Sequence, residues 1–181
     1  MFRLIAVFAF KVLGWEVIGQ FPKELNKYVV AVAPHTSNWD FLVGICARSI
    51  LRMKNTKFLG KSSLFKPPFG WIFRALGGYP VDREHKHDMV EQVAGLIRSH
   101  DQFILGIAPE GTRKKVEKFR TGFYYIAKAA GIPIIPVGFD FGRRQVILGT
   151  PLMPNNFDAD METLKSFYRT IKGKNPDWGI N

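Results

Sequence analysis

Cysteine occurs once in this 181-residue chain, at Cys46. A single thiol makes no internal disulfide and completes no multi-cysteine zinc pattern, which fits a reducing compartment. Acidic residues are also few: 15 Asp and Glu stand against 26 Lys and Arg, a net charge of +11. That surplus draws anionic partners, and nucleic acid, acidic lipid headgroups, phosphorylated metabolites and acidic carrier proteins all qualify. No apolar run is long enough to cross a bilayer. The longest, MFRLIAVFAFKVL at 1–13, is broken by Arg3 and Lys11. As a helix it covers about 20 Å, short of the roughly 30 Å hydrocarbon slab. Lys11 also interrupts any signal-peptide core, and no small-x-small cleavage site follows. The stretch therefore reads either as a core-packing helix or as a helix lying in a membrane interface with Phe2, Phe8, Phe10 and Trp15 inserted.

Several catalytic signatures are missing as well. There is no G-x-S-x-G elbow, no Walker loop and no H-E-x-x-H. The DFG at 140–142 lacks the companion kinase motifs, and HKH at 85–87 reads as a surface turn or helix start, so no metal is expected. Cys46 lies in an apolar helical pattern and reads as a packing residue.

What is present is a globular composition, 46% hydrophobic and 23% charged, in a length that suits one domain, 1–181, with 1–13 as the interface-helix candidate. Short β-branched runs at 28–34, 56–60, 78–81, 102–109 and 133–139 read as strands. Helical patterns fall at 37–53, 62–75, 86–100, 119–130 and 157–172. The alternation predicts an α/β layered domain whose central sheet is largely parallel, or mixed, with helices flanking it. In such sheets ligands bind beyond the carboxyl ends of the strands, where helix N-termini offer free N–H groups.

Two polar clusters sit at such ends. HTSNWD, 35–40, follows the strand that closes near Ala33. His35 and Asp40 are five apart, so one continuous helix would point them about 140° away from each other. With His35 on the turn and Asp40 in the first helical turn, capped by Ser37 or Asn38, the carboxylate can fold back. It then accepts a bond from the imidazole Nδ1–H and leaves Nε2 as a base able to deprotonate a hydroxyl. EGTRKK, 110–115, follows the strand that closes near Ala108. Gly111 lets the backbone approach a ligand, Thr112 adds a hydroxyl, and Arg113 can grip a phosphate bidentately with Lys114, Lys115, Lys118 and Arg120 behind it. Glu110 suits a ligand hydroxyl better than a phosphate. Without an enzyme nucleophile for the base to activate, the hydroxyl belongs to the substrate, and the arrangement describes direct acyl transfer.

These residues resemble a family. HTSNWD is similar to the H-x-x-x-x-D motif of the glycerolipid acyltransferases, the 1-acyl-glycerol-3-phosphate acyltransferases. GGYPVDRE at 77–84, APEGTR at 108–113 and IPIIPVGF at 132–139 resemble their second, third and fourth blocks in the same order. Pro34 departs from the asparagine common in that family, as do Gly77 and Gly78 from its Phe-Gly start. The resemblance implies His35 as general base oriented by Asp40, and Arg83, Glu110, Gly111, Thr112 and Arg113 as holders of the acceptor's glycerol phosphate. Pro136 and its neighbours would shape the acyl-donor side. It further implies a lysophospholipid acceptor, acyl-CoA or acyl-carrier protein as co-substrate with no bound cofactor, and a cytoplasmic, peripheral place on the inner face of a membrane. The alternatives are a related enzyme using another lysolipid or polar acceptor, and a non-catalytic lipid-binding protein. Nucleic acid is not an expected partner, because no helix-turn-helix, zinc-finger or RNA-binding signature accompanies the charge.

Overall fold

The computed structural model describes residues 2–22, 24–53, 56–81 and 86–178, and at 61, 81 and 86–88 the backbone alone. Its elements are α1 (Phe2–Val12), β1 (Glu16–Ile18), β2 (Lys27–Val32), α2 (Trp39–Ile50), β3 (Thr56–Lys61), α3 (Gly70–Ala75) and β4 (Gly78–Val81). The chain continues through α4 (Lys86–Arg98), β5 (Phe103–Ile107), α5 (Gly122–Ala130), β6 (Ile134–Asp140), β7 (Gln145–Leu148) and α6 (Phe157–Arg169). All strands join one sheet in the order β1-β7-β6-β2-β5-β3-β4. Every pairing is parallel except the antiparallel β6–β7. The expected largely parallel α/β sheet is therefore present, with one mixed edge.

Alternation along the central strands sorts side chains to two cores. Val29 and Ala31 of β2 join the cluster formed with α4, α5 and α6, while Tyr28 and Val30 join the one formed with α1 and α2. β6 is buried at every position, which explains its unbroken IIPV run. The helices divide for a topological reason. A parallel crossover keeps one hand, so the connection from β2 to β3 and the return connections through α4 and α5 run in opposite directions and cover opposite faces. β2 sits where the direction reverses, and the crevice beyond its carboxyl end is the expected ligand position.

Local chemistry sets the ends. Asn156 accepts the Ala159 N–H at 3.1 Å to open α6, and Gly131, at φ +67°, closes α5 in the left-handed conformation. The helix expected over 62–75 is instead a short 3₁₀ turn, Ser62–Phe65, followed by α3. Pro67 and Pro68 have no N–H to continue the ladder. β1 and β7 were not expected. They have three and four residues, and the pairing of β1 with β7 and of β7 with β6 creates them.

The surface distribution corrects two aromatic assignments. On α1, Leu4 and Phe8 are about 70% and 68% exposed, and Phe2, Ile5, Val7 and Val12 are exposed beside them. Phe10, however, is buried, and Trp15 packs on Phe10 and Phe141 at ring separations of 5.9 and 5.0 Å. Those two rings hold α1 to the body and are not available for insertion. Among the described residues no helix is long and apolar enough to cross a membrane.

Candidate active site

β2 and β5 are neighbours, with Ala31 opposite Ile107. The chain leaves the sheet shortly after both positions, so the HTSNWD turn and the EGTR loop emerge at the same edge. They touch directly: the His35 backbone N–H donates to Glu110 Oε2 at 2.5 Å. Two segments 75 residues apart thus share one bond at the expected crevice.

Asp40 lies in the first turn of α2 and folds back on the turn before it. Its Oδ2 stands 3.0 Å from His35 Nδ1 and also accepts the Ser37 N–H at 2.8 Å. Ser37 Oγ in turn accepts the Trp39 N–H at 3.2 Å, whereas Asn38, at the N-cap position, makes no side-chain capping bond. The Asp40 side chain is almost fully buried and that of His35 is 22% exposed. A carboxylate acceptor on Nδ1 selects the tautomer with the proton there. Nε2 then keeps its lone pair and has no partner among the described residues. The arrangement can take a proton from a bound hydroxyl and return it.

A support absent from the sequence reading comes from the end of the chain. The Asn175 N–H donates to Thr36 Oγ1 at 3.1 Å, and Asn175 Nδ2 donates to the Thr36 carbonyl at 2.8 Å. Thr36 is buried under this clamp. Below it, the Tyr168 hydroxyl donates to the Ala31 carbonyl at 2.6 Å. The histidine turn is therefore held from α2, from the EGTR loop and from the segment after α6. No pattern within 33–40 announces the last of these.

Glu110 is buried, with Oε2 taken by the His35 N–H and Oε1 without a partner among the described residues. Burial pushes its pKa up to about 7, against the pull of the His35 backbone bond and of the His35 charge, and the nearby Asp40 charge adds to the rise. Its observed partner is the His35 backbone, where the sequence suggested a ligand hydroxyl. Gly111 takes φ +64°, and a Cβ there would stand 2.7 Å from Arg120 Cδ and Nε, so the Arg120 side chain lies against it. Thr112 Oγ1 accepts the Lys114 N–H at 3.3 Å. Arg113 is exposed and has no partner among the described residues, and Lys114, Lys115, Lys118 and Arg120 are exposed around it. Arg83 and His85 lie outside the described residues.

Other expectations resolve plainly. Trp39 and Phe41, which flank Asp40 in the chain, are exposed beside the site. Pro136 is mid-strand, paired with Ala31, and its ring covers Gly149, so it packs in the core below the crevice. Asp140 of the DFG triplet accepts the Arg143 N–H at 2.8 Å in the β6–β7 turn. Burial raises the Cys46 pKa, which suits a packing thiol.

Fold and site together define a layered α/β protein with a carboxylate-oriented histidine at the carboxyl edge of its sheet. Residues 14–140 match the family model described as Acyltransferase, and the chain belongs to that family. It is 32% identical over 142 residues to a 1-acyl-sn-glycerol-3-phosphate acyltransferase of Haemophilus influenzae, covering 75% of this chain and 56% of the relative. To the enzyme of that description in Escherichia coli it is 29% identical over 132 residues, covering 68% and 52%. The chain thus spans about half the length of these curated relatives. The crystal structure of the 1-acyl-sn-glycerophosphate acyltransferase from Thermotoga maritima superposes with a TM-score of 0.58 at 25% identity, covering 93% of this chain and 74% of that one.

Proposed function

We propose that residues 1–181 form one acyltransferase domain that moves a fatty acyl group from an acyl thioester to the free hydroxyl of a lysophospholipid such as 1-acyl-glycerol-3-phosphate, in phospholipid biosynthesis. The donor is acyl-CoA or acyl-carrier protein, and the reaction runs at the inner face of a membrane. The observation that carries this reading is the 3.0 Å contact of His35 Nδ1 with buried Asp40, which leaves Nε2 open beside the basic EGTR loop. The exposed apolar side of α1 and the charge of +11 support work at an anionic lipid surface.

Arg113, with Arg83, Gly111 and Thr112, holds the acceptor's phosphate and presents its hydroxyl to His35. As Nε2 takes the proton, the oxygen attacks the thioester carbonyl and a tetrahedral oxyanion forms. Asn38, which opens α2 without a capping bond, is an uncommitted polar group for that charge. Collapse breaks the C–S bond, and the imidazolium returns its proton to the departing sulfur. Glu110 acts through His35 by holding its backbone.

Purified protein, labelled acyl thioester and a panel of lysolipids test the reading. A general base contributes roughly 10²–10⁴ in rate, so His35→Ala loses at least about a hundredfold in turnover while circular dichroism stays that of the parent. Arg113→Ala raises KM for a phosphorylated acceptor most strongly, because its contact already exists in the bound ground state. Near-normal turnover by His35→Ala removes the mechanism.

A further inference from the structure

A cavity of about 560 Å³ lies at the far end of α2 from His35, between α1, α2 and α3. Arg48 is eight residues beyond Asp40, about 12 Å along the helix axis. Phe2, Arg3, Arg48, Ser49, Arg52 and Leu76 line it, and its described lining contains no acidic side chain. Arg3 Nε reaches the Ile50 carbonyl at 3.4 Å, and Arg48 donates to the carbonyls of Met53 at 3.1 Å and Leu76 at 2.5 Å. Those bonds tie helix ends together and explain two of the three cations.

Arg52 is not explained that way. It sits just after the α2 C-cap at φ +57°, the left-handed position where helices usually place glycine. Arg144, the other described non-glycine at positive φ, donates from Nη1 to the Leu13 carbonyl at 3.1 Å. The Arg52 side chain has no partner among the described residues and is exposed at the cavity. Its guanidinium is therefore uncommitted, among the described residues, where the cavity opens to solvent. The two helices that contribute Phe2 and Ala75 to the lining also carry exposed apolar side chains, Phe2, Leu4 and Ile5 on α1 and Trp71 and Ile72 on α3. Burial already lowers the Arg48 pKa, so an anion there would favour its charged form.

We propose that this cavity seats the phosphate headgroup of an anionic membrane lipid, gripped by Arg52 and Arg3 over Arg48, with the lipid's chains alongside the exposed faces of α1 and α3. The site rests on the membrane-surface part of the proposed function and is separate from the acceptor site at His35. It fixes which face of the protein meets the bilayer.

Co-sedimentation with phosphatidylcholine vesicles, and with vesicles that also contain phosphatidylglycerol, tests it. Arg52→Gly keeps the left-handed backbone, so the variant folds. It should lose about fivefold in affinity for the anionic vesicles, the equivalent of about 1 kcal/mol for one basic residue at the surface, and nothing for the neutral ones. Adding Arg3→Ala should deepen the loss about fivefold again. Lys165→Ala on α6, across the sheet, removes the same charge and should change little. If Arg52→Gly weakens anionic binding no more than Lys165→Ala does, or if the parent binds both vesicle types equally, the site is wrong. His35→Ala retains the vesicle preference while losing transfer, so failure of this site and failure of the proposed base appear in different variants.

Discussion

Glu110 carries a carboxyl whose folded pKa, about 7, lies above its ordinary value of 4.5 because burial disfavours the charge. The folded state therefore holds a proton that the unfolded chain releases. Stability from this group is present below about 4.5 and is lost as pH rises through about 7, a total of about 3 kcal/mol. Glu110→Gln removes the titration and keeps an oxygen for the His35 N–H. Urea unfolding at pH 4.5 and pH 8 should show the variant gaining about 3 kcal/mol relative to the parent between the two, and parallel curves would refute the buried carboxyl. At this scale the sequence was informative but incomplete. The five-residue spacing of His35 and Asp40 announced their pairing once a turn was placed between them. The partner of Glu110 was hidden because it is a backbone N–H 75 residues away, and backbone groups leave no mark in a residue pattern.

α1 shows how one element serves two surfaces. Ala6 and Phe10 face the body, and Leu4 and Phe8 face outward. Phe10→Ala should cost about 3–5 kcal/mol in unfolding free energy by leaving a cavity, whereas Phe8→Glu should stay within about 0.5 kcal/mol of the parent. Vesicle affinity should reverse that order. Withdrawing an inserted Phe forfeits about 1.5–3 kcal/mol, roughly a tenfold to hundredfold loss for Phe8→Glu, and unchanged vesicle binding would argue that the face is not inserted. The apolar run at 1–13 was legible as a helix. Which of its aromatics turn inward was not, since both sides of the helix are apolar and only packing on α2, Trp15 and Phe141 distinguishes them.

Across the whole molecule, the histidine turn depends on the segment after α6, 139 residues away. Asn175→Ala deletes the bond to the Thr36 carbonyl, a loss of about 1 kcal/mol of stability. Because the turn then sits less firmly, kcat should fall several-fold with KM for the acceptor nearly unchanged, the pattern of a positioning residue. An unaltered kcat would show that α2 and Glu110 suffice to hold His35.

The sequence by itself determined the α/β class, the central strands and the two clusters, because strand and helix periodicities and Gly, Pro and carboxylate placement are local properties. It did not determine β1 and β7, the burial of Glu110, the clamp of Asn175 on Thr36 or the cavity of Arg3, Arg48 and Arg52. Each of these is a meeting of segments far apart along the chain, and only the order of strands in the sheet, with helices on both its faces, brings them into contact.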